Sequence, residues 1–168
     1  MEAVAPRPAL LDSALERDTE ELYDALEDLL RIYQFRDRDR ICCFDVSVSQ
    51  CYALEGLVRR GAMTLNDLAA YLYLDKSTAS RVVDALERKG YAARSPHPKD
   101  RRALLLEATP KGRELEGRIR ESILAEERQL LSDFAPEVRQ AMTQLIRRLA
   151  RAASASAAAG NESCCRLA

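Results

Sequence analysis

Apolar positions recur at helical spacing along most of the chain and at strand spacing in one short stretch. Leu11, Leu15, Leu22, Leu26, Leu29 and Tyr33 follow one another at intervals of four, seven, four, three and four residues. That spacing predicts a long helix over residues 10–33 with an apolar seam that another helix must cover. Arg36, Asp37, Arg38, Asp39 and Arg40 read as a charged break, followed by a helix from Ser47 to Val58. Thr64, with Asp67 three residues on, has the form of a capping box, and Leu65, Leu68, Ala69 and Leu72 predict a short helix ending near Tyr73. Asp75 is suited to cap a second helix from Lys76 to about Lys89, in which Ala79, Val82, Val83 and Leu86 form a buried stripe and after which Gly90 supplies the stop.

Strand-like runs follow at Tyr91 to Ser95 and Ala103 to Glu107, with a turn of Pro96, Pro98, Lys99 and Asp100 between them. Thr109 and Pro110 open a fifth helix that runs to about Ser132, threonine as the cap and proline at the first helical position. Pro136 begins a last helix with Val138, Met142, Leu145, Ile146 and Leu149 as its apolar residues, and after Arg151 the stretch AASASAAAGNE predicts a flexible tail. The expected class is mainly α with a small β-wing: a winged helix-turn-helix of about six helices. It divides into an arm and dimerisation helix (1–46), a DNA-binding lobe (47–112), C-terminal dimerisation helices (113–153) and a cysteine-containing tail (154–168). There is no internal repeat.

Charge sharpens this picture. The formal net charge is −1, yet residues 75–113 carry ten positive and five negative side chains, net +5, while residues 1–74 carry eight and fourteen, net −6. A basic module of this kind supplies the counterion-release part of DNA affinity, and an arginine at a hairpin tip can enter an adjacent minor groove. On the helix from Lys76, Ser77, Arg81 and Arg88 point away from the buried stripe, and Thr78 and Ser80 flank that outward face. Small hydroxyls beside a guanidinium suit base edges and phosphates in a major groove. Ser77, Thr78, Ser80, Arg81, Lys99, Arg101 and Arg102 are therefore the candidate DNA contacts.

These stretches resemble the MarR (multiple-antibiotic-resistance regulator) family of bacterial winged-helix repressors. The matching residues are Leu65-Asn66-Asp67-Leu68-Ala69, Asp75-Lys76-Ser77-Thr78-Ala79-Ser80-Arg81, Leu86-Glu87-Arg88-Lys89-Gly90, Asp100-Arg101-Arg102 and Thr109-Pro110-Lys111-Gly112. In recognisable motif the resemblance covers residues 48–113. It implies an obligate homodimer on a pseudo-palindromic double-stranded operator, with one wing arginine in the minor groove and Asp100 bracing the wing against Arg94. Ala108 departs from the leucine more usual there, and His97 between two prolines makes an individual wing tip. The apolar seams lead independently to a dimer: the first and last helices have more apolar surface than a small winged domain covers. Twofold pairing would set two recognition helices about one turn of DNA apart.

With 168 residues, 5% aromatic and no tryptophan, the chain is one domain's worth of a helical protein. It contains no run of eighteen apolar residues, and its N-terminal stretch lacks a basic region followed by an apolar one, so a cytoplasmic protein without membrane partners is expected. In that compartment the five cysteines are expected to be reduced, which favours thiolate or metal chemistry over a disulfide framework. Cys42 and Cys43 are adjacent, Cys51 lies in the next helix, and Cys164 and Cys165 form a second doublet. Converging thiolates select As(III), Cu(I), Hg(II), Cd(II) or Zn(II), and the lone histidine, His97, is too remote on the wing to join them. Such an ion is the expected effector of a repressor. Thiol oxidation by a hydroperoxide, with Arg36, Arg38 and Arg40 lowering a thiol pKa, stays open, as does a small aromatic ligand between lobes. An enzyme is not expected: a cysteine-dependent reductase would need a Cys-x-x-Cys, a cysteine–histidine pair or a glycine-rich phosphate loop, none of which is present. A winged domain that binds protein instead of DNA is separated from the regulator by the salt dependence of DNA binding.

Overall fold

The computed structural model describes residues 9–98 and 103–160. In chain order these are α1 (Ala9–Ile41), a single 3-10 turn (Cys42–Phe44), α2 (Val48–Arg60), β1 (Met63–Thr64), α3 (Leu65–Tyr71), α4 (Lys76–Arg88), β2 (Ala92–Pro96), β3 (Leu104–Ala108), α5 (Pro110–Leu131) and α6 (Pro136–Gly160). The strands form one antiparallel sheet in the order β1-β3-β2, with Met63 opposite Leu106 and Arg94 opposite that same leucine on the other side.

Side-chain caps set where the helices of the winged lobe begin. Ser47 and Gln50 close a reciprocal capping box on α2, and Thr64 and Asp67 close another on α3. The carboxylate of Asp75 accepts from the Thr78 amide at 2.9 Å to open α4, and the Thr109 hydroxyl accepts from the Gly112 amide at 3.0 Å to open α5. The end of α4 is equally defined. Gly90 takes φ +75, the Tyr91 amide reaches back to the Leu86 carbonyl at 2.9 Å, and the Gly90 amide to that of Glu87 at 2.8 Å. Both orphan carbonyls are satisfied by this left-handed stop, which glycine alone adopts without a steric penalty.

Leu54 and Leu57 of α2, Leu68 of α3, Val83 and Leu86 of α4 and Leu106 of β3 are almost wholly buried and form one cluster, to which Leu115 and Ile119 of α5 belong. Each fully buried leucine contributes roughly 1.5–3 kcal/mol relative to exposure. The chain divides into two compact units at Ile123/Leu124, so the first half of α5 belongs with the winged lobe. In the second unit the last turns of α5 and the helix α6 expose Leu130, Val138, Leu145 and Ile146.

Three helix limits differ from the periodicity. The charged stretch from Arg36 to Arg40 is not a break: α1 runs through it to Ile41. No glycine or proline stops it there, Arg38 and Arg40 suit the negative end of the helix dipole, Ile41 is buried at 1% exposure, and Arg40 reaches the Ser122 hydroxyl of α5 at 2.9 Å. The chain turns only at Asp45, in the left-handed region at φ 55. At the other end α6 continues past Arg151 to Gly160, because alanine is the strongest helix former and the tract contains no breaker before that glycine. The third is α3, which ends two residues before Tyr73. Strand β1, only two residues long, was not signalled by any alternation. No described helix is long and apolar enough to cross a membrane.

Candidate nucleic-acid interface

The helix α4 is rooted in the core through Ala79, Val83 and Leu86, each 0% exposed, with Val82 partly buried beside them. Ser77 and Arg81 are exposed, and Thr78 and Ser80 are half-buried at the edge of the same face. The predicted DNA-facing residues of α4 are therefore brought together on one side of one helix end. Their local bonding was not legible beforehand. Ser77 Oγ donates to Asp75 at 2.6 Å and Thr78 Oγ1 donates to Asp75 at 2.7 Å, while Arg81 lies over the pair, its Nη2 3.3 Å from Thr78 Oγ1 and its Nε donating to the Ser77 carbonyl at 3.4 Å. With their protons held by Asp75, both hydroxyls are left as acceptors, Thr78 Oγ1 towards Arg81 Nη2, and the exposed Ser77 has the polarity that accepts from the exocyclic amines of adenine and cytosine.

Those same hydrogen bonds, from Ser77 first and then Thr78, hold the Asp75 carboxyl far below the usual carboxylate range. Asp67 is lowered in the same direction by its bonds from Thr64. A carboxylate whose folded pKa is depressed contributes stability above its unfolded value, about 3.9, and loses that contribution as pH falls towards the folded one. Asp75→Asn keeps an N-cap acceptor but has no charge to lose. Its midpoint of thermal unfolding is expected to fall less steeply than that of the parent between pH 4 and pH 2, and parallel curves would refute the assignment.

Arg94 links the wing to α4. Arg94 of β2 donates from Nη2 to Asp84 Oδ1 at 2.7 Å and from Nη1 to Glu87 Oε2, bridging two carboxylates three residues apart on α4. The bond to Asp84 is the first cause of the raised Arg94 pKa. Across the hairpin Ser95 Oγ donates to Glu107 Oε1 at 2.9 Å, and the His97 amide donates to the Ala103 carbonyl at 3.1 Å. The expected brace to Asp100, together with Lys99, Arg101 and Arg102, lies outside the described residues; the described partners of Arg94 are on α4. Asp84 and Glu87 were missed in the sequence, although two acids at i, i+3 on a helix that precedes a basic strand are a usable signal.

The cysteines are dispersed differently from the hydroxyls. Cys43 is exposed and its Sγ lies 3.8 Å from the Asp39 carbonyl, whereas Cys51 is buried among the core residues of α2 at 7% exposure. Cys42 lies in the 3-10 turn, its side chain outside the described residues, as are Cys164 and Cys165. Among the described residues no group of three or more His, Cys, Asp or Glu is placed to hold a metal ion. The turn that carries the doublet ends at Asp45, whose carbonyl and carboxylate both accept from Lys89 Nζ, at the C-terminal cap of α4.

Residues 44–103, from the end of that turn to the hairpin, match the sequence model of the MarR family. The winged lobe is thus similar to that of the MarR family. Among solved structures, a MarR family protein from Bacillus stearothermophilus shares the fold at a TM-score of 0.76 and 24% identity, covering 83% of this chain and 97% of its own. A MarR transcriptional regulator from Methanosarcina mazei Go1 is 26% identical at a TM-score of 0.71, covering 80% of this chain and 96% of its own. Among curated proteins, the HTH-type transcriptional regulator PecS of Dickeya dadantii is 28% identical over 84% of this chain and 81% of its own length. An HTH-type transcriptional regulator of Mycobacterium leprae is 39% identical over 42% of this chain. Several curated relatives are spanned over only 49–59% of their own length. The α4 helix and strand β2 both lie within the matched residues.

Proposed function

We propose that this protein is a dimeric transcriptional regulator that binds a pseudo-palindromic operator, α4 in the major groove and the basic hairpin at the flanking minor groove. The observation that carries the reading is α4 itself: hydroxyls and Arg81 on the free face of its first two turns, the opposite face anchored in the core. Selection of duplexes from a random-sequence library tests it. A twofold-related sequence should emerge, and affinity for it should fall steeply as salt rises; binding without a salt slope would point to a protein partner instead.

The input is assigned to the thiols. In this reading Cys42 and Cys43 share a soft ion, As(III), Cu(I), Hg(II), Cd(II) or Zn(II), with Cys164 and Cys165, and Cys51 keeps its place in the core. What supports it is the connection of the 3-10 turn to α4: strain at Cys43 acts two residues from Asp45, which holds Lys89 at the end of the recognition helix. The exposure of Cys43 also favours a second reading, oxidation of its thiolate by a hydroperoxide. The double substitution Cys42→Ser with Cys43→Ser is expected to leave operator affinity within about twofold of the parent and to abolish release by As(III). An anaerobic titration with As(III), followed by thiolate absorbance and operator anisotropy, reads both. Release that survives in the double variant defeats the thiol assignment. Release by hydroperoxide alone selects oxidation.

A further inference from the structure

We propose that Arg94 is a positioning residue for DNA reading: it sets the angle between the wing and the recognition helix, so that groove contacts of α4 and of the hairpin are made together. The proposal rests on the operator-binding reading. It starts from the connectivity of the hairpin. The sheet order β1-β3-β2 leaves β2 as an edge strand, hydrogen-bonded only to β3. Beyond the core residue Ala92 at its start, β2 is mostly exposed. The ladder to β3 holds the hairpin together but does not by itself fix the angle of the hairpin to α4.

Arg94 ties the hairpin to α4. It lies two positions beyond Ala92, directly opposite Leu106, and its guanidinium spans Asp84 and Glu87 on successive turns of α4. A planar guanidinium bound to two carboxylates fixes distance and orientation at once, which a lysine or a single pair does not. Its side chain is 30% exposed, and the two acids are 42% and 26% exposed, so the bridge is partly shielded from water and salt. The worth of the bridge in stability is modest at such exposure. Its worth in DNA reading is larger, because a wing free to swing must lose that freedom on every binding event.

Two variants separate positioning from direct contact with DNA. Arg94→Gln removes the bridge and one positive charge. Asp84→Asn with Glu87→Gln removes the same bridge from the other side, keeps Arg94, and makes the lobe more basic. The Asp84 and Glu87 substitutions are near-isosteric, Arg94→Gln is a shorter polar side chain, and all three positions are partly exposed and outside the core cluster. The probe is the duplex that the unsubstituted protein selects, with a second duplex in which the flanking A·T pairs are changed to G·C. If Arg94 positions the wing, both variants bind the selected duplex about tenfold more weakly, and both lose the preference for A·T flanks while keeping discrimination at the pairs under α4. If the Asp84/Glu87 variant binds as well as the parent or better, with its flank preference intact, the positioning role is overturned. Unchanged binding by Arg94→Gln overturns it as well. Failure of the unsubstituted protein to select any duplex would instead remove the operator-binding reading, so the two failures are distinguishable.

Discussion

Alanine at Gly112 is expected to destabilise the winged lobe by about 2–3 kcal/mol, the upper part of the range for overpacking. A Cβ there would stand 2.0 Å from the Tyr91 carbonyl oxygen and 2.9 Å from its carbon, a clash with backbone that no rotamer change relieves. That carbonyl is already committed, accepting from the Thr109 amide at 3.0 Å, and the Thr109 hydroxyl donates to the Gly90 carbonyl at 2.7 Å. The start of α5 is thereby clamped against the end of α4 and the start of β2. Pushing it away breaks the Thr109 cap and the α4 stop together. Gly117, in the same helix, has nothing within 4 Å of an added Cβ, and Gly117→Ala should raise stability by about 0.5–1 kcal/mol, the helix-propensity gain. Urea unfolding of the two variants side by side checks both signs. Equal midpoints for Gly112→Ala and the parent would show that the contact at Tyr91 is not tight.

Paired substitution of Leu22 and Leu29 by glutamate is expected to convert the proposed dimer to a monomer at micromolar concentration and to weaken operator binding by about a hundredfold or more, the loss of bivalence. The two leucines are seven residues apart on α1 and therefore on one face, and they remain 48% and 43% exposed in the single chain. Leu15 continues the same seam at 63% exposure. In the proposed dimer a second copy covers this apolar seam, and each leucine covered is worth roughly 1.5–3 kcal/mol. Charge at two positions of a twofold seam meets itself across the axis. Light scattering reads the mass and anisotropy the affinity. A dimer that persists would place the subunit contact away from this seam. Monomers that bind the selected duplex at full affinity would refute bivalent binding.

The winged lobe was the most legible part of the chain because its signals are local. Thr64 with Asp67, Asp75 with Thr78, and Gly90 each satisfy backbone groups within a few residues of themselves, and the α4 stripe of Ala79, Val83 and Leu86 follows from helical periodicity. Caps and turns carry their own chemistry, so residue type alone locates them to within a residue or two. The ends of the long helices had no such signal. Helix α1 continues through a run of alternating charges because Ile41 and Arg40 find partners elsewhere in the fold, and Arg40 meets Ser122 across more than eighty positions of sequence.

What the sequence determined by itself is the class of protein: the helix order, the basic lobe, the hydroxyl-and-arginine face of α4, and an apolar seam on α1 in need of cover. The tertiary structure alone decided which charges are committed and to whom. Arg94 belongs to Asp84 and Glu87, Lys89 to Asp45, and the protons of Ser77 and Thr78 to Asp75. It also separated Cys43 at the surface from Cys51 in the core, which their eight-residue spacing does not reveal. The reason is physical. Periodicity and capping are properties of neighbouring residues, whereas an ion pair or a buried thiol depends on where separate elements meet, and that is fixed only when the core packs.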